Sequence, residues 1–312
     1  MPVKNWRFCE PSVYFAQHHD WRTVDGGDYK PPCPNSQLRD DAVALRRPRP
    51  CVDNRLVPPS PWEARIERAQ SLSRQLPFAV EILTFYIHVA RFQQDSYRGL
   101  ETGAQAHNLP DALGTSFFTF LSMIQEHGPA RLAETSRALA SEARDKLESL
   151  LQKGWFRAEI SPSQLDQFLV RAFLQPFAVF ARAKSSVQWN GYSGSLCPFC
   201  GRKPASGVLR PRGEGGQRSL LCSFCLAEWE FRRILCAGCG ETDYLKLPVY
   251  QASDFNYIRV DCCDTCKQYL KIVDLTKNGL ADPVVDEIAA APLDLWAREQ
   301  GYSKLELNLV GM

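Results

Sequence analysis

From residue 60 to about residue 183, apolar side chains recur at the three-to-four-residue spacing of helices that bury one face. Ser60-Pro61-Trp62-Glu63 reads as a capping box with proline at the first helical position, and Trp62, Ile66, Ala69 and Leu72 form the stripe behind it. Pro77 stops that helix. The next, Phe78 to Gln94, is apolar on nearly every side (Val80, Leu83, Tyr86, Ile87, Val89, Ala90), which suits the centre of a bundle. His88 within it reads as a hydrogen-bonded core histidine, not a ligand. Further helices are predicted over Ala112 to Glu126, rich in phenylalanine, and over Pro129 to Lys153, with Leu132, Leu139, Leu147 and Leu150 on one face. A second capping box, Ser161 to Gln164, opens another, with Leu165, Phe168, Leu169, Ala172, Phe173 and Phe177 behind it. Aromatic stripes of this kind form cores, and nothing in residues 59–183 proposes chemistry.

Residues 184–195, with Gly191 and Gly194, read as a linker, and beyond them the helical period disappears. Short β-like runs replace it: Leu220 to Cys222, Glu228 to Leu235, Leu245 to Tyr250, Asn256 to Val260 and Tyr269 to Leu275. The region 282–312 should hold a closing helix, capped by Asp282 and begun by Pro283, reaching Trp296, and then a tail. Residues 1–58 carry Pro31, Pro32, Pro34, Pro48, Pro50 and Pro58 and no sustained period, so an extended or partly disordered arm is expected there. His18 and His19 lie in that arm with Cys9, Cys33 and Cys51; scattered singles at these spacings read as incidental rather than as a third metal site.

Composition narrows the function classes. The 312-residue chain has 37 Lys and Arg against 35 Asp and Glu, a formal charge of +2, so a strongly basic nucleic-acid binder is not the default. No run of eighteen apolar residues predicts membrane insertion, and Met1 to Glu10 lacks the apolar core of a signal peptide. A cytoplasmic location is therefore expected, where the 12 cysteines stay reduced and are better read as thiolate ligands than as disulfides.

Eight of them form four CxxC pairs: Cys197 with Cys200, Cys222 with Cys225, Cys236 with Cys239, and Cys263 with Cys266. Two intervening residues let the chain turn so that both sulfurs meet one metal while backbone amides face them. Gly201 and Gly240 follow the first and third pairs and permit a left-handed backbone. The first and third pairs begin 39 residues apart (197 to 236) and the second and fourth 41 apart (222 to 263), which suggests a duplicated unit. The resulting ligand sets are Cys197, Cys200, Cys222 and Cys225 for residues 196–235, and Cys236, Cys239, Cys263 and Cys266 for residues 236–281. An interleaved pairing, or one joining the middle two pairs, stays open, as does a ligand role for Cys262. Thioredoxin-like chemistry would need a βαβ setting that is absent. The fold class is α+β: an all-helical N-terminal domain, then two tandem rubredoxin-like or zinc-ribbon four-cysteine modules of short antiparallel strands, then a C-terminal helix. Four thiolates accept zinc or iron alike. Because the ribbons are thin, metal loss is expected to unfold them while the helices from Ser60 to Arg182 remain.

The series Cys197-Pro198-Phe199-Cys200-Gly201, then Leu221-Cys222-Ser223-Phe224-Cys225 with Glu228-Trp229, resembles the formate dehydrogenase accessory protein family of the FdhE type. So does the continuation through Cys236-Ala237-Gly238-Cys239, Cys263-Asp264-Thr265-Cys266 and Tyr269-Leu270-Lys271-Ile272. The likeness runs from about residue 56 to the C-terminus; residues before 56 and Cys262 depart from it. The resemblance implies a cytoplasmic, non-enzymatic maturation factor with iron on the CxxC cysteines. Its implied partner is the catalytic subunit of a molybdenum-containing formate dehydrogenase, bound before export. Self-association is left open.

Two other functions are weighed beside it. A nucleic-acid-binding zinc ribbon would draw on Arg202, Lys203, Arg210, Arg212, Arg218, Arg232 and Arg233, seven basic residues against Glu214, Glu228 and Glu230. A four-thiolate site with a divalent metal is itself anionic, so this surplus partly balances the site. A rubredoxin-like electron carrier would need iron and a reductase partner for which the sequence carries no signal.

Overall fold

The computed structural model describes residues 61–103, 109–156, 163–213 and 215–308, with side chains left aside over 109–114. The predicted arm, with His18, His19, Cys9, Cys33 and Cys51, lies outside the described residues, as do Ser60 and Ser161 of the two capping boxes.

Six helices come first: α1 (Pro61–Gln75), α2 (Val80–Glu101), α3 (Leu109–His127), α4 (Ala130–Ala140), α5 (Arg144–Trp155) and α6 (Gln164–Lys184). The expected single helix over 129–153 is two, because the chain turns at Ser141, whose side chain and amide both bond back to the carbonyl of Ala138. Serine competes for helix carbonyls in this way and stops the ladder. α6 is capped by Ser163, which accepts from the Asp166 amide. Pro176 lies inside α6 and has no N–H for the Ala172 carbonyl one turn back. Gln93 of α2 supplies the missing donor at 2.8 Å, while its other amide atom accepts from Trp62 Nε1. One buried glutamine thus ties α1, α2 and α6 around a core of Phe117, Phe120, Leu169 and Phe173. His88 is half-buried and stacks on His127 at 3.8 Å; burial and the neighbouring imidazole hold its pKa down.

Seven strands follow: β1 (Pro204–Arg212), β2 (Gly215–Cys222), β3 (Glu228–Glu230), β4 (Val249–Gln251), β5 (Ile258–Cys263), β6 (Gln268–Asp274) and β7 (Ser303–Lys304). They form one sheet in the order β3-β2-β1-β6-β5-β4, with β7 beside β6. Each expected ribbon is an antiparallel triplet, and the triplets are joined by parallel pairing of β1 with β6 through Gly207, Val208 and Leu209. At that seam a Cβ on Gly207 would meet the tip of the Ile272 side chain, which would have to turn aside, and would sit 3.1 Å from the Ser219 carbonyl, so glycine eases the approach. The closing helix is also two, α7 (Val285–Ala289) and α8 (Ala291–Glu299), with Asp282 accepting from the amides of Val284 and Val285.

The helical and sheet halves share one hydrophobic cluster, in which Phe173, Phe177 and Trp62 are continuous with Cys197, Cys222, Phe224, Trp229, Ile272 and Val285. Polar links reinforce the join. Arg68 of α1 clasps the fully buried Asp286 of α7 at 2.9 and 2.6 Å, and Tyr257 donates to the same carboxylate. The described residues fall into one compact unit.

Candidate metal centres

Each CxxC pair is built on the same local turn. The carbonyl of the first cysteine accepts from the amide four residues on in three of them: Gly201 to Cys197 at 2.8 Å, Gly240 to Cys236 at 3.0 Å, and Lys267 to Cys263 at 2.9 Å. The residue after each second cysteine is left-handed: Gly201 (φ 67°), Leu226 (φ 55°), Gly240 (φ 78°) and Lys267 (φ 55°). Among the described residues Leu226 and Lys267 are the only non-glycines with positive φ, a conformation costing roughly 1–2 kcal/mol that the turn imposes. The turns aim backbone amides at sulfur, from Cys200 to Cys197, Phe224 to Cys222 and Gly238 to Cys236, at 3.3–3.5 Å.

The structure brings the eight cysteines into two groups of four. Cys197, Cys200, Cys222 and Cys225 form one and Cys236, Cys239, Cys263 and Cys266 the other, with the sulfurs of each group all within 4.8 Å of one another. This is the sequential grouping, not the interleaved one. In the first, Cys197 and Cys225 are 3.5 Å apart and Cys200 and Cys222 3.3 Å; in the second, both closest pairs are at 3.7 Å. A disulfide holds its sulfurs at about 2.0 Å, whereas a tetrahedral thiolate site with metal–sulfur bonds near 2.3 Å needs about 3.8 Å between sulfurs. The donor set therefore fits a thiophilic cation with four protein ligands and no open position. Four charged sulfurs this close repel one another unless a cation sits among them. Hydrogen bonds from Cys197, Cys222 and Cys225 hold Cys200 far below the ordinary thiol value, while burial pushes Cys222 and Cys225 well above it. In the second group burial likewise pushes Cys236 and Cys266 up.

The surroundings differ. Around the first group, Phe224 packs on Trp155 at 6.0 Å and under the Arg202 guanidinium at 4.1 Å, and Arg202 reaches the Gly154 carbonyl at the end of α5. Arg182 of α6 donates to the Cys225 carbonyl, and Trp229 Nε1 to the Gly194 carbonyl in the predicted linker. At the second group Glu241 accepts from the amides of Thr242 and Asp243 and from the Thr265 hydroxyl, so it ties the third turn to the fourth. Those donors, with the Thr265 hydroxyl first, hold the Glu241 carboxyl at about 2.

Cys262 is separated from its neighbour by strand geometry. Side chains alternate along β5, so Ile258, Val260 and Cys262 face a small core with Tyr269 and Val273, while Cys263 faces the metal group. Burial pushes the Cys262 thiol up to about 12.

Sequence reasoning missed a buried charge network beside the second triplet. Lys271 of β6 is fully buried and donates to Asp294 Oδ2 at 2.5 Å and to the carbonyls of Glu287 and Ala290. Lys304 of β7 pairs with Glu287 and, at 3.2 Å, with Asp294; Asn308 and Tyr269 complete the carboxylates. A lysine in the middle of the apolar run Tyr269 to Val273 was its one visible sign.

A helical layer fused to a sheet that carries two four-thiolate cages defines a tandem-ribbon protein built to hold metal. Family models described as FdhE central domain and FdhE C-terminal domain match residues 196–233 and 234–310, and the join between them falls between the two cages. A protein FdhE homolog of Aquifex aeolicus is 30% identical over 270 residues, covering 80% of this chain and 95% of the relative. One from Pseudomonas aeruginosa is 32% identical over 196 residues, 57% of this chain and 62% of the relative. The crystal structure of the FdhE protein from Pseudomonas aeruginosa shares the fold, with a TM-score of 0.58 at 22% identity over 80% of this chain and 94% of that one. The chain belongs to the FdhE family. Among the described residues no helix is long and apolar enough to cross a membrane.

Proposed function

We propose that this protein is a metal-binding accessory factor for a molybdenum-containing formate dehydrogenase, binding its catalytic subunit in the cytoplasm before export. The observation that carries this reading is the pair of four-thiolate cages in a member of this family. Cys197, Cys200, Cys222 and Cys225 hold one iron and Cys236, Cys239, Cys263 and Cys266 the other. Iron in such a cage supplies a one-electron couple whose potential follows burial and hydrogen bonding around sulfur. The ligands themselves accept zinc equally, so iron rests on the family resemblance.

The client surface is the outer edge of β4, which pairs with no further strand among the described residues. Val249 and Tyr250 are exposed there, and Tyr244 (69%) and Leu245 (73%) stand exposed on the preceding turn. An extended client segment would add to this edge as a further strand. The arginines of the β1–β2 hairpin already have carboxylate partners within the protein. Arg210 clasps Glu228 at 2.8 and 2.7 Å, Arg212 pairs with Glu230, and Arg218 is buried against Asp261. The same pairings engage three of the seven basic residues on which a nucleic-acid site would draw.

The tests are direct. Deleting the gene should abolish formate-dependent respiration without lowering the amount of catalytic subunit, and wild type but not Cys222→Ser or Cys263→Ser should restore it. Cysteine variants that fold and complement fully would refute a metal role in function. Protein purified from iron-replete anaerobic growth should be red, with sulfur-to-iron absorption lost on dithionite; a colourless protein with two zinc ions would refute iron.

A further inference from the structure

The two cages offer the same four sulfurs but unequal access. In the first, Cys197, Cys222 and Cys225 are at most 2% exposed and belong to the main hydrophobic core, with Phe199, Phe224, Leu226 and Trp155 packed around them. Helices α5 and α6 are fastened over it through Arg202 and Arg182. Removing a ligand there means opening the core.

None of the second cage's sulfurs belongs to that core, Cys239 is exposed and Cys266 half-exposed. Behind it lies a cavity of about 60 Å³ whose wall includes Cys236 and Cys263. Arg218, Arg233 and Arg259 also line that cavity against one carboxylate, Asp261. Arg218 is 4% exposed, and its Nε has no hydrogen-bond partner. Solvent thus meets the second cage at Cys239, and a water-sized cavity with three guanidinium groups against one carboxylate lies behind it. Ligand exchange at a four-coordinate thiolate site needs an incoming donor to approach the metal while one sulfur leaves.

We infer that the second cage exchanges its metal in the folded protein, with Cys239 as the ligand that leaves, whereas the first cage is a sealed structural site. The incoming ligand is an anionic soft donor, a thiolate. Its sulfur would form the first new bond to the metal as the bond to Cys239 Sγ breaks, the freed thiolate taking a proton from water; further donors would then displace Cys236, Cys263 and Cys266 in turn, with no change of oxidation state. This rests on the metal-binding reading of both cages.

The experiment uses the full chain loaded with zinc and challenged with dithiothreitol and a chromogenic chelator, with released metal measured alongside iodoacetamide labelling mapped by peptide mass spectrometry. One of two equivalents should leave first, with label among the eight ligand cysteines confined to Cys236, Cys239, Cys263 and Cys266 while circular dichroism stays native. Cys239→Ser should hold a single equivalent and lose the early phase, with helical content unchanged. Early label on Cys197, Cys200, Cys222 or Cys225, or all eight cysteines labelled together as the helices melt, would overturn the inference and leave metal binding intact. Failure to load any metal would overturn both.

Discussion

Lys271→Met tests how dry the network behind β6 is. The ammonium sits at 2.5 Å from Asp294 and 3.0 Å from Glu287, and all three side chains are at most 2% exposed. Methionine keeps the volume but leaves two buried carboxylates facing one cation, Lys304, and strips donors from the carbonyls of Glu287 and Ala290. Breaking one partner of a buried pair costs about 3–5 kcal/mol. The two orphaned carbonyls would each cost about 1–3 kcal/mol if left unpaired, but they overlap with the same term, so the total should fall near 5 kcal/mol. That is a large share of the roughly 5–15 kcal/mol of a whole domain. The assay is urea unfolding of metal-loaded protein followed by circular dichroism. Lys271→Met/Asp294→Asn should cost clearly less than the sum of the single changes, since it removes one charge of each sign. The pH dependence has a defined sign. Burial pushes the Asp294 carboxyl up, but Lys271 and Lys304 outweigh it and hold it below its usual value. Its contribution is present above the unfolded carboxylate value near 4 and is lost as pH falls through the folded value. In Lys271→Met that depression weakens, so the deficit should shrink as pH approaches 4. A loss under about 1 kcal/mol at neutral pH would show water in the network and refute the reasoning.

Three further outcomes are expected. Cys262→Ala should retain both metal equivalents by mass spectrometry while Cys263→Ser loses one, because alternate β5 residues face opposite sides of the sheet; loss of metal in Cys262→Ala would make it a ligand. Lys267→Gly should leave the unfolding midpoint nearly unchanged, because about 1–2 kcal/mol of released left-handed strain is offset by glycine's freedom in the unfolded chain and by loss of the Lys267–Asp264 pair, whereas Leu226→Gly should lower it because Leu226 also packs on the core. Chelator-driven loss of both metals should melt helix and sheet signals in one transition, given their common cluster; helices that persist would restore two separable domains.

The cages were legible because ligand chemistry is local. Two residues between cysteines force a turn whatever surrounds it, and glycine at Gly201 and Gly240 marks the left-handed position that closes it. Spacing also exposed the duplication. Helix existence followed from the apolar period, but the break at Ser141 did not, because the stripe from Leu132 to Leu150 runs across it. Strand β1 was hidden by its own residue types. Pro204, Gly207 and Pro211 read as loop punctuation, yet Gly207 marks the place where the Ile272 side chain of the neighbouring strand packs closely on the β1 backbone. The shared core and the Lys271 network depend on contacts between residues more than 15 apart in sequence, which no local pattern records.

The way the repeats join bears on whether they are modules at all. In sheet order the first repeat runs β3-β2-β1 and the second β6-β5-β4, so the first strand of one meets the last strand of the other. The join is head-to-tail, and each repeat supplies an edge that the other covers. A chain ending at Leu235 would keep all four ligands of the first cage but bare the edge of β1, where Val208 is fully buried and Leu209 is 5% exposed. It would also lose Asp286, leaving Arg68 without its carboxylate. An open, flat, apolar edge invites pairing with another chain. Residues 59–235 expressed alone should therefore bind one metal equivalent yet self-associate, as read by light scattering, and replacing Val208 by lysine should suppress that association. A monomeric, cooperatively folded 59–235 fragment would show that the triplets are independent ribbons and that the β1–β6 seam contributes little.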